Sequence, residues 1–365
     1  MADNTLLPNV LAADQAKAFR RRLLAWYRKH RRDLPWREMN GRPVNPYHVL
    51  LSEAMLQQTQ VATVVPYFHR FIEVFPTIHV LAEADEQRVL TLWQGLGYYR
   101  RARNLHASAK KIVEDFAGEV PRTVDALLQL PGIGRYTAGA IASIAHGTRA
   151  AVVDGNVERV FARLMLIQEA INAPETKRRL WQIAESLVPK RSPGDYNQAL
   201  MELGATVCTP KLPQCFVCPV RPHCRGVQET NPETLPVKLP KKKPKEVTHI
   251  VIAIERNGKY LFEQRPSEGL WANMWQLPTV EDTEDKVEAR AWTESRFGIT
   301  MRKPEPVTVF RHQTTHRMIR FVLLQSGTQA GRLRAKSGFW HRLDRLDHLP
   351  MSNPQRVCLK HLRSD

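Results

Sequence analysis

The sequence predicts a multidomain chain, an all-α region followed by an α+β region. Three observations predict it. Apolar residues recur at three- and four-residue spacing from Asp14 to Cys224, β-branched runs begin at Val247, and a proline- and lysine-rich stretch lies between. A length of 365 residues is enough for two or three separately packed cores.

The first helix carries Phe19, Leu23, Trp26 and Tyr27 on one stripe, with Arg20, Arg21, Arg22, Arg28 and Lys29 mostly off it. Further helices are predicted at 46–58, 61–74, 85–93, 102–116, 123–130, 137–146, 157–166 and 174–187, with Pro and Gly between them. Residues 1–225 form this region. Residues 226–246, with the run Lys241-Lys242-Lys243-Pro244-Lys245, read as an extended, exposed linker. In 247–365, strands at 247–254 and 259–264 flank Asn257-Gly258, a strong hairpin turn. A second strand pair, 307–312 and 317–324, is joined around Gln313-Thr314-Thr315-His316, with helices near 284–297 and at the C-terminus. No internal repeat is present.

Hydrophobic residues make up 43% and charged residues 25%, the balance of a globular protein. No apolar run approaches the ~20 residues that span a bilayer, and Met1 to Ala18 has no secretory pattern, so a cytoplasmic, nucleoid-associated protein is expected. Lys and Arg number 54 against 36 acidic residues, a net charge of +18, which argues for a polyanionic partner. Cys208, Cys215, Cys218 and Cys224 cluster with C-x6-C-x2-C-x5-C spacing, a metal site rather than a disulfide framework. Four thiolates suit zinc or an iron–sulfur cluster, and ligand count alone leaves both open. Cys358 stands apart and reads as a small apolar residue of the terminal helix.

Three further signals carry chemistry. In Leu130-Pro131-Gly132-Ile133-Gly134-Arg135-Tyr136, a helix ends, a glycine-bearing hairpin follows and a new helix begins. The unpaired N–H groups at that start favour an anion. Asp154, before Gly155 and Asn156, suits an N-cap or a catalytic carboxylate. Glu53 follows Leu50 and Val49 on or beside an apolar helix face, where partial burial would let it hold a proton near neutral pH. Two carboxylates in different environments are what N-glycosidic cleavage needs, one to protonate the leaving base and one to stabilise the sugar cation.

The order of these elements resembles the adenine DNA glycosylases of the MutY family, within the helix–hairpin–helix and endonuclease III superfamily. The resemblance is carried by Met55-Leu56-Gln57-Gln58-Thr59, Gly95-Leu96-Gly97-Tyr98-Tyr99-Arg100 and the cysteine spacing, and it covers nearly the whole chain. It implies an all-α helix–hairpin–helix glycosylase domain with an iron–sulfur cluster loop at 208–224, a 4Fe–4S cofactor, and a Nudix-like α+β C-terminal domain. The implied roles follow residue by residue. Glu53 protonates adenine, Asp154 stabilises the sugar cation, and Tyr136 and Asn156 support Asp154. Gln58, Thr59, Leu96 and Tyr98 wedge into the base stack, while Arg32, Trp36, Arg37 and Glu202 line the adenine pocket. Gly132 and Gly134 grip a phosphate. Bifunctional lyases of the endonuclease III type carry a lysine where Tyr136 stands, so simple hydrolysis is implied.

Trp275-Gln276-Leu277-Pro278 and Phe297-Gly298-Ile299 look like the frame of a Nudix fold. The magnesium-binding acidic stretch is replaced by Ala291-Trp292-Thr293-Glu294-Ser295-Arg296, which leaves no catalytic magnesium site. In the family this domain recognises 8-oxoguanine through a Phe-Ser-His loop, matched here by Thr314-Thr315-His316. The implied partner is double-stranded DNA with adenine opposite 8-oxoguanine or guanine, bound by a monomer. Three competing expectations are an endonuclease III-like lyase acting on oxidised pyrimidines, a DNA-binding protein without catalysis, and an active Nudix hydrolase.

Overall fold

The structure, a computed structural model, describes residues 11–37, 44–240, 243–334, 338–346 and 348–363; the first ten residues and Lys241-Lys242 of the basic run lie outside these. The chain divides into two compact units, Met1–Ala82 with Ala107–Pro240, and Glu83–His106 with Lys241–Asp365. Among the described residues no helix is long and apolar enough to cross a membrane.

The helical half contains α1 (Ala13–His30), α2 (Pro46–Leu56), α3 (Val61–Val74), α4 (Ile78–Glu83), α5 (Glu86–Trp93), α6 (Arg100–Asp115) and α7 (Val124–Leu127). After these come α8 (Arg135–His146), α9 (Gly155–Leu164), α10 (Pro174–Leu187), α11 (Pro193–Thr206) and α12 (Arg225–Glu229). Apolar spacing predicts most of these within a few residues; α4, α11 and α12 it does not. In α11 the buried face includes Gly194, Asn197, Glu202 and Gly204 beside Tyr196, Leu200 and Leu203, which hides the apolar stripe from a periodicity count.

Helix α1 buries Phe19, Leu23 and Tyr27 against a core shared with α9, α10 and α11. Helix α2 starts on Pro46, capped by Asn45, whose side chain accepts from Tyr47 N at 2.9 Å. Every residue from Val49 to Met55 is buried, so this helix has almost no solvent face. The hairpin before α8 turns through Gly132 at φ +75°, a left-handed conformation that a β-carbon disfavours. Gly134 then caps α8 with no side-chain hydrogen bond, leaving the first N–H groups of the helix without a side-chain acceptor.

The segment read as an exposed linker is only partly so. It holds α12 and a 3-10 turn at Pro232–Thr234, and Leu235 is 3% exposed. The reason is Arg163, itself buried, whose Nε donates to Leu235 O at 3.0 Å and draws the segment inward.

The second unit contains one mixed sheet. Its strands are β1 (Lys245–Arg256), β2 (Lys259–Gln264), β3 (Trp275–Gln276), β4 (Thr279–Glu281), β5 (Ile299–Met301), β6 (Glu305–Gln313), β7 (Arg317–Gly331) and β8 (Phe339–His341). The main order is β3-β2-β1-β7-β5, with β4 on β1, β6 on β7 and β8 on β2. Strand β1 runs parallel to β7, from Lys245 opposite Arg317 to Glu255 opposite Gly327. Its continuous apolar run is buried on both faces. Val251 and Ala253 enter one core with Phe262, Phe321 and the C-terminal helix α14 (Asn353–Leu362), including Cys358. Ile250, Ile252 and Ile254 enter another with Ala289 and Phe297 of α13 (Lys286–Phe297).

Phe321 is 1% exposed and stacks on Phe310 at 5.2 Å. Phe321→Ala should destabilise this unit by about 3–5 kcal/mol, read by chemical denaturation.

Candidate active site

One cleft in the first unit is lined by Glu53, Tyr136, Asp154 and Asn156 together with Arg32, Trp36, Arg37, Gln58, Thr59 and Glu202. Residues scattered over 170 positions are thus brought together. Glu53 reaches it because α2 is buried almost all round, leaving this side chain 6% exposed. Burial pushes its carboxyl up to about 7; a hydrogen bond with Tyr136 opposes the rise, the charge of Asp154 adds to it, and Arg37 opposes it. Tyr136, in the first turn of α8, holds its phenol well above the usual range through burial and the neighbouring Glu53 and Asp154.

Asp154 is the N-cap that its sequence position allowed. It caps α9, accepting from Val157 N at 2.8 Å and Asn156 N at 3.1 Å, and it also faces the cleft. Asn156 Nδ2 donates to its other oxygen at 3.0 Å. Burial raises the Asp154 carboxyl above its ordinary value, and these donors with the charge of Arg159 hold the rise back. Arg159 was not anticipated. It donates through Nη2 to Asn156 Oδ1 (2.9 Å) and Gly204 O (2.7 Å), and through Nε to Cys208 O (2.7 Å). At Gly204 of α11 a β-carbon would stand 2.6 Å from Asn156 Cβ, so glycine is what lets this turn approach the helix.

Glu202 is in a third state. Its buried carboxylate takes Arg32 Nε at 2.7 Å, Arg32 Nη2 at 3.1 Å and Arg37 Nη2 at 2.7 Å. Burial would raise it, but the two guanidinium groups outweigh that and hold it below the usual carboxylate range. Trp36 packs edge-on against Phe68 at 5.3 Å. Gln58 is exposed at the mouth with φ +58°, a left-handed backbone that a non-glycine residue adopts only under constraint. The cleft also takes in Ser52, Gln198 and Met201, which sequence reasoning missed. The last two ride on the unpredicted α11, whose Pro193 start was the available signal.

Other candidates lie elsewhere. Gly132 and Gly134 form the bend before α8 and do not line the cleft. In the second unit Tyr98, at φ +48°, is 48% exposed, and its hydroxyl is 3.2 Å from Thr315 Oγ1. Leu96 differs from the expectation of a wedge. It is 6% exposed, which leaves Tyr98 as the side chain of that pair that reaches solvent. His316 O accepts from Lys245 N at 2.9 Å, and Thr314 Oγ1 closes the hairpin by accepting from Arg317 N at 3.1 Å.

The four clustered cysteines line a second, small cavity in the first unit, of about 30 Å³, with Val160, Leu203 and Val220 around them. Arg163 Nη1 is 3.3 Å from Cys208 Sγ. Among the described residues no three His, Cys, Asp or Glu side chains converge closely enough to hold a single metal ion.

The environment of Glu53 has a consequence for stability. Below about pH 4.5 the carboxyl is protonated folded or unfolded. As pH rises toward 7 the unfolded chain ionises first, so stability is lost across that window. Glu53→Gln should therefore gain stability relative to the parent chain progressively from pH 5 to 8, toward about 3 kcal/mol at most. Denaturation midpoints across that range are the measurement, and a gain independent of pH would exclude burial as its source.

Residues 51–186 match the family described as HhH-GPD superfamily base excision DNA repair protein, and residues 249–361 match the NUDIX domain. The chain is 52% identical over 216 residues to the adenine DNA glycosylase of Rattus norvegicus, covering 58% of this chain and 42% of that protein. The match thus spans less than half of that relative's length. To the adenine DNA glycosylase of Buchnera aphidicola subsp. Schizaphis graminum it is 31% identical over 346 residues, 94% of this chain and 98% of the relative. Among solved structures, a thermostable thymine-DNA glycosylase is similar with a TM-score of 0.52 and 29% identity over 59% of this chain and 97% of that one. With a relative this similar along almost its entire length, the chain belongs to the adenine DNA glycosylase family.

Proposed function

We propose that this chain is a monofunctional adenine-specific DNA N-glycosylase, acting on adenine opposite 8-oxoguanine or guanine and leaving an abasic site in an intact strand. One observation carries the reading: Glu53 and Asp154, 101 positions apart in sequence, enter one cleft in different environments. A carboxyl raised to about 7 retains a proton to give at neutral pH. A capped carboxylate beside it accepts from three donors, which favour its anionic form against the opposing effect of burial.

In the mechanism, Glu53 donates its proton to the adenine ring as the C1′–N9 bond breaks. The base leaves neutral and the sugar takes on oxocarbenium character. Asp154, held by Asn156 and the start of α9, stabilises that cation, and water adds at C1′ to complete the hydrolysis. Adenine must first leave the duplex stack, at a cost of a few kcal/mol that a mispair lowers. The net charge of +18 and the open N–H groups at the start of α8 support binding of the phosphate backbone. Exposed Tyr98 and the Thr315 hydroxyl beside it are the groups in the second unit placed to meet a lesion.

The lyase reading is disfavoured by the cleft itself. Tyr136 stands in it, and among the described residues that line it none is a lysine, so no amine is at hand to form a Schiff base. The second cavity supports a resident 4Fe–4S cluster held by Cys208, Cys215, Cys218 and Cys224. Four thiols around one cavity are the donor set that a 4Fe–4S cluster takes, and the cysteine spacing is the one on which the family resemblance rests. Purified protein should accordingly be brown with broad visible absorbance; colourless protein containing zinc would refute the cluster.

The central experiment incubates the protein with a duplex carrying adenine opposite 8-oxoguanine. Free adenine should appear with no strand break until alkali is added. Glu53→Gln should abolish release, by at least 100-fold, while largely preserving duplex affinity. Turnover retained in that variant would remove Glu53 from the acid role.

A further inference from the structure

The turn between α5 and α6 lies within the second unit, which takes in Glu83–His106. Its backbone is left-handed at three places: Gly95 at φ +103°, Gly97 at φ +73° and Tyr98 at φ +48°. Glycine adopts such angles freely, but a tyrosine does so only where its surroundings hold it there. The outcome is a ring that is 48% exposed, while Leu96 and Tyr99 are buried. Something in the fold must hold that turn.

Arg101, in the first turn of α6, is placed to do so. Its Nη2 donates to Leu96 O at 3.2 Å and to Gly97 O at 3.0 Å, and its backbone N–H donates to Tyr98 O at 2.8 Å. Three successive carbonyls of the turn are thus taken by one residue. The guanidinium carbon also lies 5.4 Å from the centre of the Trp93 ring and 5.6 Å from that of Tyr98. Trp93 adds a donor of its own, Nε1 to Gly97 O at 3.2 Å. A planar guanidinium can bond carbonyls at its edge and face aromatic rings at once, which a lysine ammonium cannot reproduce. Arg101 is buried, so its charge serves the turn and not a phosphate.

We propose that Arg101 is a positioning residue for duplex recognition: it fixes the turn from Gly95 to Tyr98 so that the Tyr98 ring is presented to the base stack already ordered. The proposal rests on the reading that Tyr98 meets the DNA. A ring held in advance loses little freedom when a base stacks on it, whereas a slack turn must be ordered during binding, at a cost in affinity. The Tyr98 hydroxyl, 3.2 Å from Thr315 Oγ1, is fixed at its far end as well. The ring is therefore held at its backbone, at its face and at its tip.

The test measures affinity of the full chain for a duplex carrying 2′-fluoro-2′-deoxyadenosine opposite 8-oxoguanine; the fluorine resists glycosidic cleavage by destabilising the sugar cation. Tyr98→Ala should weaken binding by about tenfold or more, the effect of losing one base–aromatic stack. Arg101→Lys, which keeps the charge but not the fork, should weaken it about five- to tenfold. In single-turnover adenine release, that loss should fall on the half-saturating protein concentration more than on the plateau rate. Added to Tyr98→Ala, Arg101→Lys should cost less than twofold more, because the ring it positions is already gone. Trp93→Phe keeps an aromatic ring without the Nε1 donor; it should weaken binding about threefold, and it reads the same turn should Arg101→Lys not fold. Parent-like binding by Arg101→Lys or by Trp93→Phe, or a loss that persists in full without the Tyr98 ring, overturns the proposal. Parent-like binding by Tyr98→Ala instead overturns the reading of Tyr98 on which it rests.

Discussion

The desolvation of a single carboxyl group on α2 shapes the rest of the helical unit. Val49 to Met55 are buried without interruption, so Glu53 has no route to solvent except through the cleft. An ionised carboxylate in such a place is disfavoured, and burial pushes the group's titration up to about 7. Its surroundings are arranged around that fact. The phenol of Tyr136 meets it from α8, and the charge of Asp154 pushes in the same direction as burial. The nearby guanidinium of Arg37, which would pull it back, is bound to Glu202 and to a backbone carbonyl. Three carboxyl groups therefore share one cleft in three states, one paired with arginine, one capped by a helix start, and one held by burial.

Helix α11 makes this possible. It brings Met201 against Tyr136, Glu202 against Arg32 and Arg37, and Gly204 against Asn156. Through Arg159 the same contact reaches the cysteine loop, since one guanidinium bonds Asn156 Oδ1, Gly204 O and Cys208 O. Arg163, one turn further along α9, donates to Thr209 O and Pro210 O at 2.7 and 3.1 Å. The loop that carries the thiols is thus pinned to the helix that Asp154 caps. A shift in either is resisted by buried hydrogen bonds whose loss leaves charged donors unsatisfied.

The second unit, which matches the NUDIX domain, carries a buried polar centre of its own. Arg296 Nε donates to the buried Glu263 at 3.2 Å. Glu263 also accepts from Gln276 at 3.0 Å, and Arg265 joins Gln276 to Glu281 at 2.7 Å each. Guanidinium and amide groups pair with these carboxylates, so the sheet retains a satisfied polar centre. At the β6–β7 hairpin, Thr314 closes the turn and Thr315 meets Tyr98.

Much of this was legible in the residues alone. Spacing located the helices because apolar faces repeat at 3.6 residues, Asn257-Gly258 marked a hairpin because both residues tolerate the left-handed backbone seen there, and the four cysteines announced a site by proximity. Glu53 and Asp154 were singled out by chemical type and local pattern. The rest was decided in three dimensions. Helix α11 was invisible because its buried face mixes glycine, asparagine and glutamate, and Arg159, Met201 and Gly204 each make contacts with groups more than forty positions away. Leu96 read as a wedge by position and turned out buried. Local sequence by itself determined which groups were available and which segments coil or extend, because those depend on near neighbours. How far a carboxyl is desolvated depends on what packs against it from elsewhere, and that only the tertiary structure decided.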